Sequence, residues 1–162
     1  MAPLFRAEQI GSLLRPAALL AARTKSDRLG TYIQALPEDI QRGTQEAIAS
    51  AIEKQEELSI RPFTSGEYER AIFYSGMFEK LEGFEVRDAL PIPDGFRTNF
   101  PSVATLYAKG VKTRPGVVAT AKIKHVKSVY GEELKLLQKL LPEEKWKECK
   151  LTMPAVTWQH MQ

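Results

Sequence analysis

Cysteine is nearly missing from this chain of 162 residues, which has one, Cys149, and histidine is scarce, at positions 125 and 160 only. A single cysteine excludes an internal disulfide and any cysteine-based metal cage built by this chain alone. Long hydrophobic runs are missing too. The longest apolar run near the start is broken by Arg15 and Pro16, and no stretch approaches the roughly 18 apolar residues of a membrane span. Nor does one sign of charge dominate: 23 basic residues stand against 20 acidic ones, a net +3 spread along the chain, which argues against a nucleic-acid partner. There are no internal repeats and no low-complexity tracts. A cytoplasmic protein with no membrane and no nucleic-acid partner is therefore expected. With 43% hydrophobic and 27% charged residues, the composition is that of a soluble globular protein with a single domain over 1–162.

What is present alternates between strand-like and helix-like segments. Residues 5–10 form a first strand candidate, and 16–25 a helix with proline at its first position and Leu19 and Leu20 facing inward. Over 37–58, Ile40, Thr44, Ala47, Ile48, Ala51 and Ile52 recur at helical spacing opposite a charged face. Residues 59–63 read as the next strand, and 68–81 as a helix carrying Ala71, Ile72, Tyr74, Ser75, Phe78 and Leu81 on one side, with Gly83 at its end. Residues 86–115, interrupted by Pro91, Pro93, Pro101 and Pro115, read as a large excursion containing short pieces. Then come a strand over 116–123, an amphipathic helix over 128–140, a shorter helix from Pro142 to Glu148, and a strand over 149–153. The run from Glu132 to Glu148 reads as a solvated helical surface. Alternation of this kind predicts an α/β fold with parallel neighbouring strands and right-handed crossovers. Four such units make half of a (β/α)8 barrel, so the expected fold is a partial barrel of the first four or so βα units.

Two turns stand out. Thr64-Ser65-Gly66-Glu67-Tyr68-Glu69-Arg70 puts a carboxylate just after a strand candidate, and Gln9-Ile10-Gly11-Ser12-Leu13-Leu14-Arg15-Pro16 has the same form with a small hydroxyl residue. In a βα barrel the chemistry sits at the C-terminal ends of the strands, so the two turns suggest two edges of one site. Read alone, Gly11 and Ser12 make a capped strand-to-helix turn, and Glu67 is a first-turn glutamate favoured by the helix dipole. Arg70 equally suits a structural ion pair with Glu67 or Glu69. His125, at a strand end after Lys122 and Lys124, is a candidate for lining the site, and a lone histidine there is more often structural.

Together, residues 5–16, Thr64 to Arg70 with Phe73 and the Leu81-Glu82-Gly83-Phe84 run, Thr120 to His125, and Leu151-Thr152-Met153 resemble the C-terminal catalytic domain of cobalamin-independent methionine synthase. The shorter single-domain relatives of fungi and bacteria are nearest in form, within the superfamily that also holds uroporphyrinogen decarboxylase. The resemblance covers the first half of that domain, so 1–162 is expected to be an incomplete barrel domain.

The resemblance implies a (β/α)8 barrel that transfers a methyl group from 5-methyltetrahydrofolate, usually polyglutamylated, to the thiol of homocysteine in methionine biosynthesis. A zinc ion activates that thiol in the family, because a free thiol is mostly protonated at neutral pH and a metal-bound one is not. By motif, Ile10, Gly11 and Ser12 fall on the family's homocysteine-binding turn and Glu67 on its homocysteine-binding glutamate; Arg70 and His125 are candidates for lining the site. The family's zinc ligands are a His-x-Cys motif, a glutamate and a second cysteine on later strands. They have no counterparts here, so the expectation is a truncated form with no metal ligands and with no catalytic residue assigned. The alternative is a non-catalytic half-barrel acting as a binding or assembly module, self-associating through its open edge.

Overall fold

Proline marks the start of the first two helices, Ala17–Arg23 (α1) after Pro16 and Glu38–Glu57 (α2) after Pro37. Proline holds the chain extended before the first turn and has no N–H to leave unpaired. The computed structural model describes residues 7–24 and 36–161, without the side chains of 159–161. The remaining elements are a strand Glu82–Pro91 (β1), short helices Asp94–Asn99 (α3) and Pro101–Ala108 (α4), a strand Thr113–Lys124 (β2) and a helix Gly131–Leu140 (α5). The chain divides into two compact units, Met1–Met77 with Ser128–Met153, and Phe78–Lys127 with Pro154–Gln162.

In the first unit, α2 buries Thr44, Ile48, Ile52 and Gln55 along one stripe, the spacing expected of one helix face. Ile48 and Ile52 meet Leu19, Phe63, Tyr68, Leu137 and Leu141 in the core, with Leu13, Ala47, Ala51 and Leu151 packed around it. Gln55 extends the stripe with a polar end that is fully used. Its amide accepts from Gln9 Nε2 (2.7 Å) and Thr64 N (3.0 Å) and donates to Thr64 O (3.0 Å). A buried amide satisfied in this way pins both extended segments to α2. Arg23, buried in the last turn of α1, donates to Tyr68 O (2.7 Å).

The parallel sheet expected from the sequence shrinks to one bridge in this unit. Phe63 pairs with Cys149 in parallel, Phe63 N donating to Glu148 O (2.7 Å) and Lys150 N to Phe63 O (2.8 Å). Residues 59–62 and 150–153 carry no strand, and neither do residues 7–10, while Phe5 and Arg6 lie outside the described residues. The 142–148 helix is a 3-10 segment, Glu143–Glu148.

The helix expected over 68–81 is also absent; turns run through it to a 3-10 turn at Phe78–Lys80. The cause is side-chain competition for the backbone. Ser75 Oγ accepts from Ala71 N (3.1 Å) and Ile72 N (3.3 Å), Arg70 Nη1 donates to Phe73 O (2.9 Å), and Gly76 has φ 84°.

The second unit holds a two-stranded antiparallel sheet, β1 against β2, with Val86 opposite Val117 and Leu90 opposite Arg114. The expected 116–123 strand is therefore real but longer, and antiparallel to a neighbour read as part of an irregular excursion. The signal for β1 was the alternation of Phe84, Val86 and Leu90. Gly83 does not end a helix; it sits at a bulge between Glu82 and Phe84 with φ 88°, where a Cβ would lie 2.7 Å from Lys122 O. Only glycine fits there. Among the described residues, no helix is long and apolar enough to cross a membrane.

Candidate functional site

Two polar turns of the first unit meet at one carboxylate. The 64–67 turn builds itself: Thr64 Oγ1 accepts from Gly66 N (2.9 Å) and Ser65 Oγ from Glu67 N (3.2 Å), the local pattern that Ser and Thr favour in turns. Gly66 (φ 67°) and Glu67 (φ 59°) are both left-handed, and a non-glycine residue there is a costly conformation that surrounding contacts must hold. Leu13 N donates to Gly66 O (3.1 Å), which ties the 9–16 segment to the turn. A Cβ on Gly66 would fall 2.9 Å from Leu13 Cβ. Gly66→Ala should therefore cost about 1–3 kcal/mol of unfolding free energy, read by urea denaturation; an unchanged midpoint would contradict this account of the turn.

The Glu67 carboxylate is buried and accepts on both oxygens, from Ser12 Oγ at Oε2 and Thr152 Oγ1 at Oε1, with Arg70 Nη1 at 3.5 Å. Gly11 lies against it: a Cβ at that position would come within 3.2 Å of Oε1. Arg15 reaches over the turn and donates to the carbonyls of Glu67 (2.9 Å) and Arg70. Ser12 is exposed beside the buried carboxylate, and Ile10 is almost wholly exposed. Ser12, Gly11 and Glu67 are thus together, as two edges of one site require. Ile10 precedes Gly11 in the chain and is not buried with the carboxylate, and His125 is exposed in the second unit, just beyond β2.

Arg70 is buried behind Glu67. Its Nη2 pairs with Glu133 Oε2 (2.7 Å) and donates to Thr152 O (2.9 Å), and its guanidinium lies 4.0 Å from the Tyr130 ring centroid. Burial opposes this charge, but Glu133, Tyr130 and Glu67 more than offset it and hold the guanidinium protonated. Glu133, expected on a solvated surface, is 2% exposed and also accepts from Ser65 Oγ (3.0 Å). Glu133, Thr152 and Arg15 are the members of this cluster that sequence reasoning missed. For Glu133 a signal existed: it precedes Leu137 by one helical turn, on the inward stripe of α5.

Glu69 completes the buried charge cluster. It is fully buried, and among the described residues neither of its oxygens has a hydrogen-bond partner. Burial, reinforced by the neighbouring Glu133 carboxylate, pushes its pKa up to about 8. Ser65 and Arg70 offset part of that, although the Ser65 hydroxyl donates to Glu133.

No three His, Cys, Asp or Glu side chains among the described residues are grouped to hold a metal. The Cys149 thiol, near Lys145 O, is pushed above its ordinary pKa by burial and by Glu148, the opposite of what a thiolate ligand needs. The zinc of the resembled family therefore finds no fitting donor set in the residues described.

No model of a known protein family matches the chain. It is similar to the uncharacterized protein YxjG of Bacillus subtilis (strain 168), 32% identical over 83 residues, which is 51% of this chain and 21% of that protein. In fold it is similar to a B12-independent methionine synthase from Shewanella sp. W3-18-1, solved in complex with selenomethionine. The TM-score is 0.53 and the identity 19%, over 86% of this chain and 36% of that one. The chain thus spans well under half the length of either, and the structural likeness is one of fold alone, for a chain that is itself mixed α/β.

Proposed function

We propose that this chain carries the amino-acid-binding edge of a methionine-synthase-type methyltransferase, with homocysteine as the amino acid. The observation that supports this reading most is the meeting of Gly11 and Ser12 with the Glu67 carboxylate, 55 residues on from Ser12 in the chain. A carboxylate offers the partner an α-ammonium group needs, and a glycine backbone admits an α-carboxylate closely. In this reading Glu67 binds the amino group, Gly11 and Ser12 bound the amino-acid end, and Arg70 positions Glu67 through its contact and through the Thr152 it shares. Methyl transfer from methyltetrahydrofolate polyglutamate, and the zinc that would activate the thiol, belong to the proposed activity of the whole protein. Cytoplasmic location is part of the same proposal.

Titration calorimetry of the full chain with homocysteine tests it. Glu67→Ala is expected to weaken binding by about 1.5–3 kcal/mol, the range for a hydrogen bond to a charged group, and Glu67→Gln by less. Equal affinity of Glu67→Ala and the parent chain would overturn the assignment.

One observation favours a second reading, an assembly module. Ile10 and Leu14 are 96% and 93% exposed, and Leu14 lines a cleft of about 450 Å³ together with Leu13, Ala47, Ala51, Leu58 and Tyr68, with Glu53, Lys54 and Glu57 as charged members of its lining. Glu67 does not line that cleft. Self-association without homocysteine binding would favour this reading over the first.

A further inference from the structure

The second unit gathers cations on aromatic rings. Between Gly95 and Tyr130 the chain has no aspartate or glutamate and seven lysines and arginines. Three of them converge on the two helices that cap the hairpin. Arg97, on α3, lies 4.3 Å from the centroid of the Tyr107 ring of α4, and Lys112 Nζ lies 3.6 Å from the same ring. Arg114, near the start of β2, lies 4.9 Å from the Phe96 ring. Stacking on a ring face holds a guanidinium plane and leaves its N–H edge free to bond in that plane.

Those edges are not used. Arg114 Nε and Nη2, the adjacent N–H groups of one side of the guanidinium, are buried without an acceptor among the described residues, and so is Arg97 Nε. Arg97 Nη2, on the same edge as that Nε, pairs with Asp94, and Lys112 Nζ donates to Tyr107 O (2.8 Å), so the edge left wholly open is that of Arg114. A buried donor left unpaired costs free energy, and the cost is larger when the group is charged. An Nε/Nη2 edge matches the two oxygens of a carboxylate or phosphate, so one incoming oxyanion would satisfy both donors.

We propose that this cluster is an oxyanion-binding site, anchored by the Arg114 fork and supported by Arg97 and Lys112, for the carboxylate or phosphate group of a small anionic ligand. It stands independently of the homocysteine reading, because it uses none of the residues of that site. Of the three cations, Arg97 has a carboxylate partner, Asp94.

The test is calorimetry of the full chain with inorganic phosphate in one arm and citrate in the other, each against sodium chloride at matched ionic strength. Saturable one-to-one binding in either arm is expected, with a dissociation constant of about 1 mM or tighter, and the arm that saturates identifies the source of the oxyanion. Arg114→Lys keeps the charge and loses the fork, so it should weaken binding at least about tenfold. Lys122→Gln, in the other half of β2, should change it by less than about twofold. Thermal unfolding with and without the anion gives a second readout: the parent chain should gain stability and folded Arg114→Lys should not. If Arg114→Lys does not fold, Arg97→Lys is compared in its place and should weaken binding about threefold or more. Absence of saturable heat at about 10 mM in both arms, or binding by the folded lysine variant equal to that of the parent, overturns the proposal.

Discussion

Arg70→Met is expected to destabilise the first unit by about 3–5 kcal/mol, the cost of removing one partner of a buried ion pair. The guanidinium is fully buried and serves Glu133, Glu67, Thr152 and the Phe73 carbonyl at once. Methionine fills a similar volume but supplies no donor, so the buried Glu133 carboxyl would lose both hydrogen bonds it accepts from the guanidinium. Removing both partners should cost much less. An apolar pair of similar shape restores packing without a stranded charge, so Arg70→Met with Glu133→Leu should recover most of the loss. Urea denaturation of the two single variants and the double variant gives the coupling directly. A loss under about 1 kcal/mol for Arg70→Met would mean that the cluster is wetter than its burial indicates.

The same cluster shows how far the sequence could be read. Helices α2 and α5 were legible from an apolar stripe at helical spacing, and α1 from the proline before it, although Leu20, read as facing inward, is exposed. The pairing of Ser12 with Glu67 was legible from the two turn motifs, although the parallel strands invoked to bring them together are absent apart from the Phe63–Cys149 bridge. What joins the turns is instead Leu13 N on Gly66 O and the Gln55 amide, neither of which leaves a periodic signature. The 68–81 segment misled because its apolar spacing is helical, whereas Ser75 and Arg70 take up the backbone groups that a helix would use. The hairpin misled for a different reason. Prolines break helices and central strands, but both members of a two-stranded sheet are edges, so Pro115 sits within β2 at no ladder cost on its outer side. Charge was the least legible property, since Glu133 and Glu69 look like surface residues in the sequence and are both buried in the fold.

Glu69 turns that burial into a pH dependence. Its carboxyl titrates at an ordinary value, near 4.5, in the unfolded chain and is pushed to about 8 in the folded one by burial and the nearby Glu133. The folded state therefore holds a proton that the unfolded state has lost at every pH between those values. Stability falls across that window, by up to about 1.4 kcal/mol per pH unit, and levels off above the folded value. The contribution is fully present below about pH 4.5 and is lost as the pH rises toward 8. Arg70 is protonated throughout, and the Glu69 carboxyl is pushed into the neutral range. Glu69→Gln keeps the shape of the protonated acid and cannot ionise. Measured by urea denaturation between pH 5 and 9, the variant should match the parent at the acid end and exceed it by a widening margin, on the order of several kcal/mol, at the alkaline end. Other groups titrate in both proteins and cancel in the difference. Parallel curves for the two proteins would show that Glu69 is ionised in the folded chain and has found a partner, and the buried cluster would then have to be redrawn with a donor on that carboxylate.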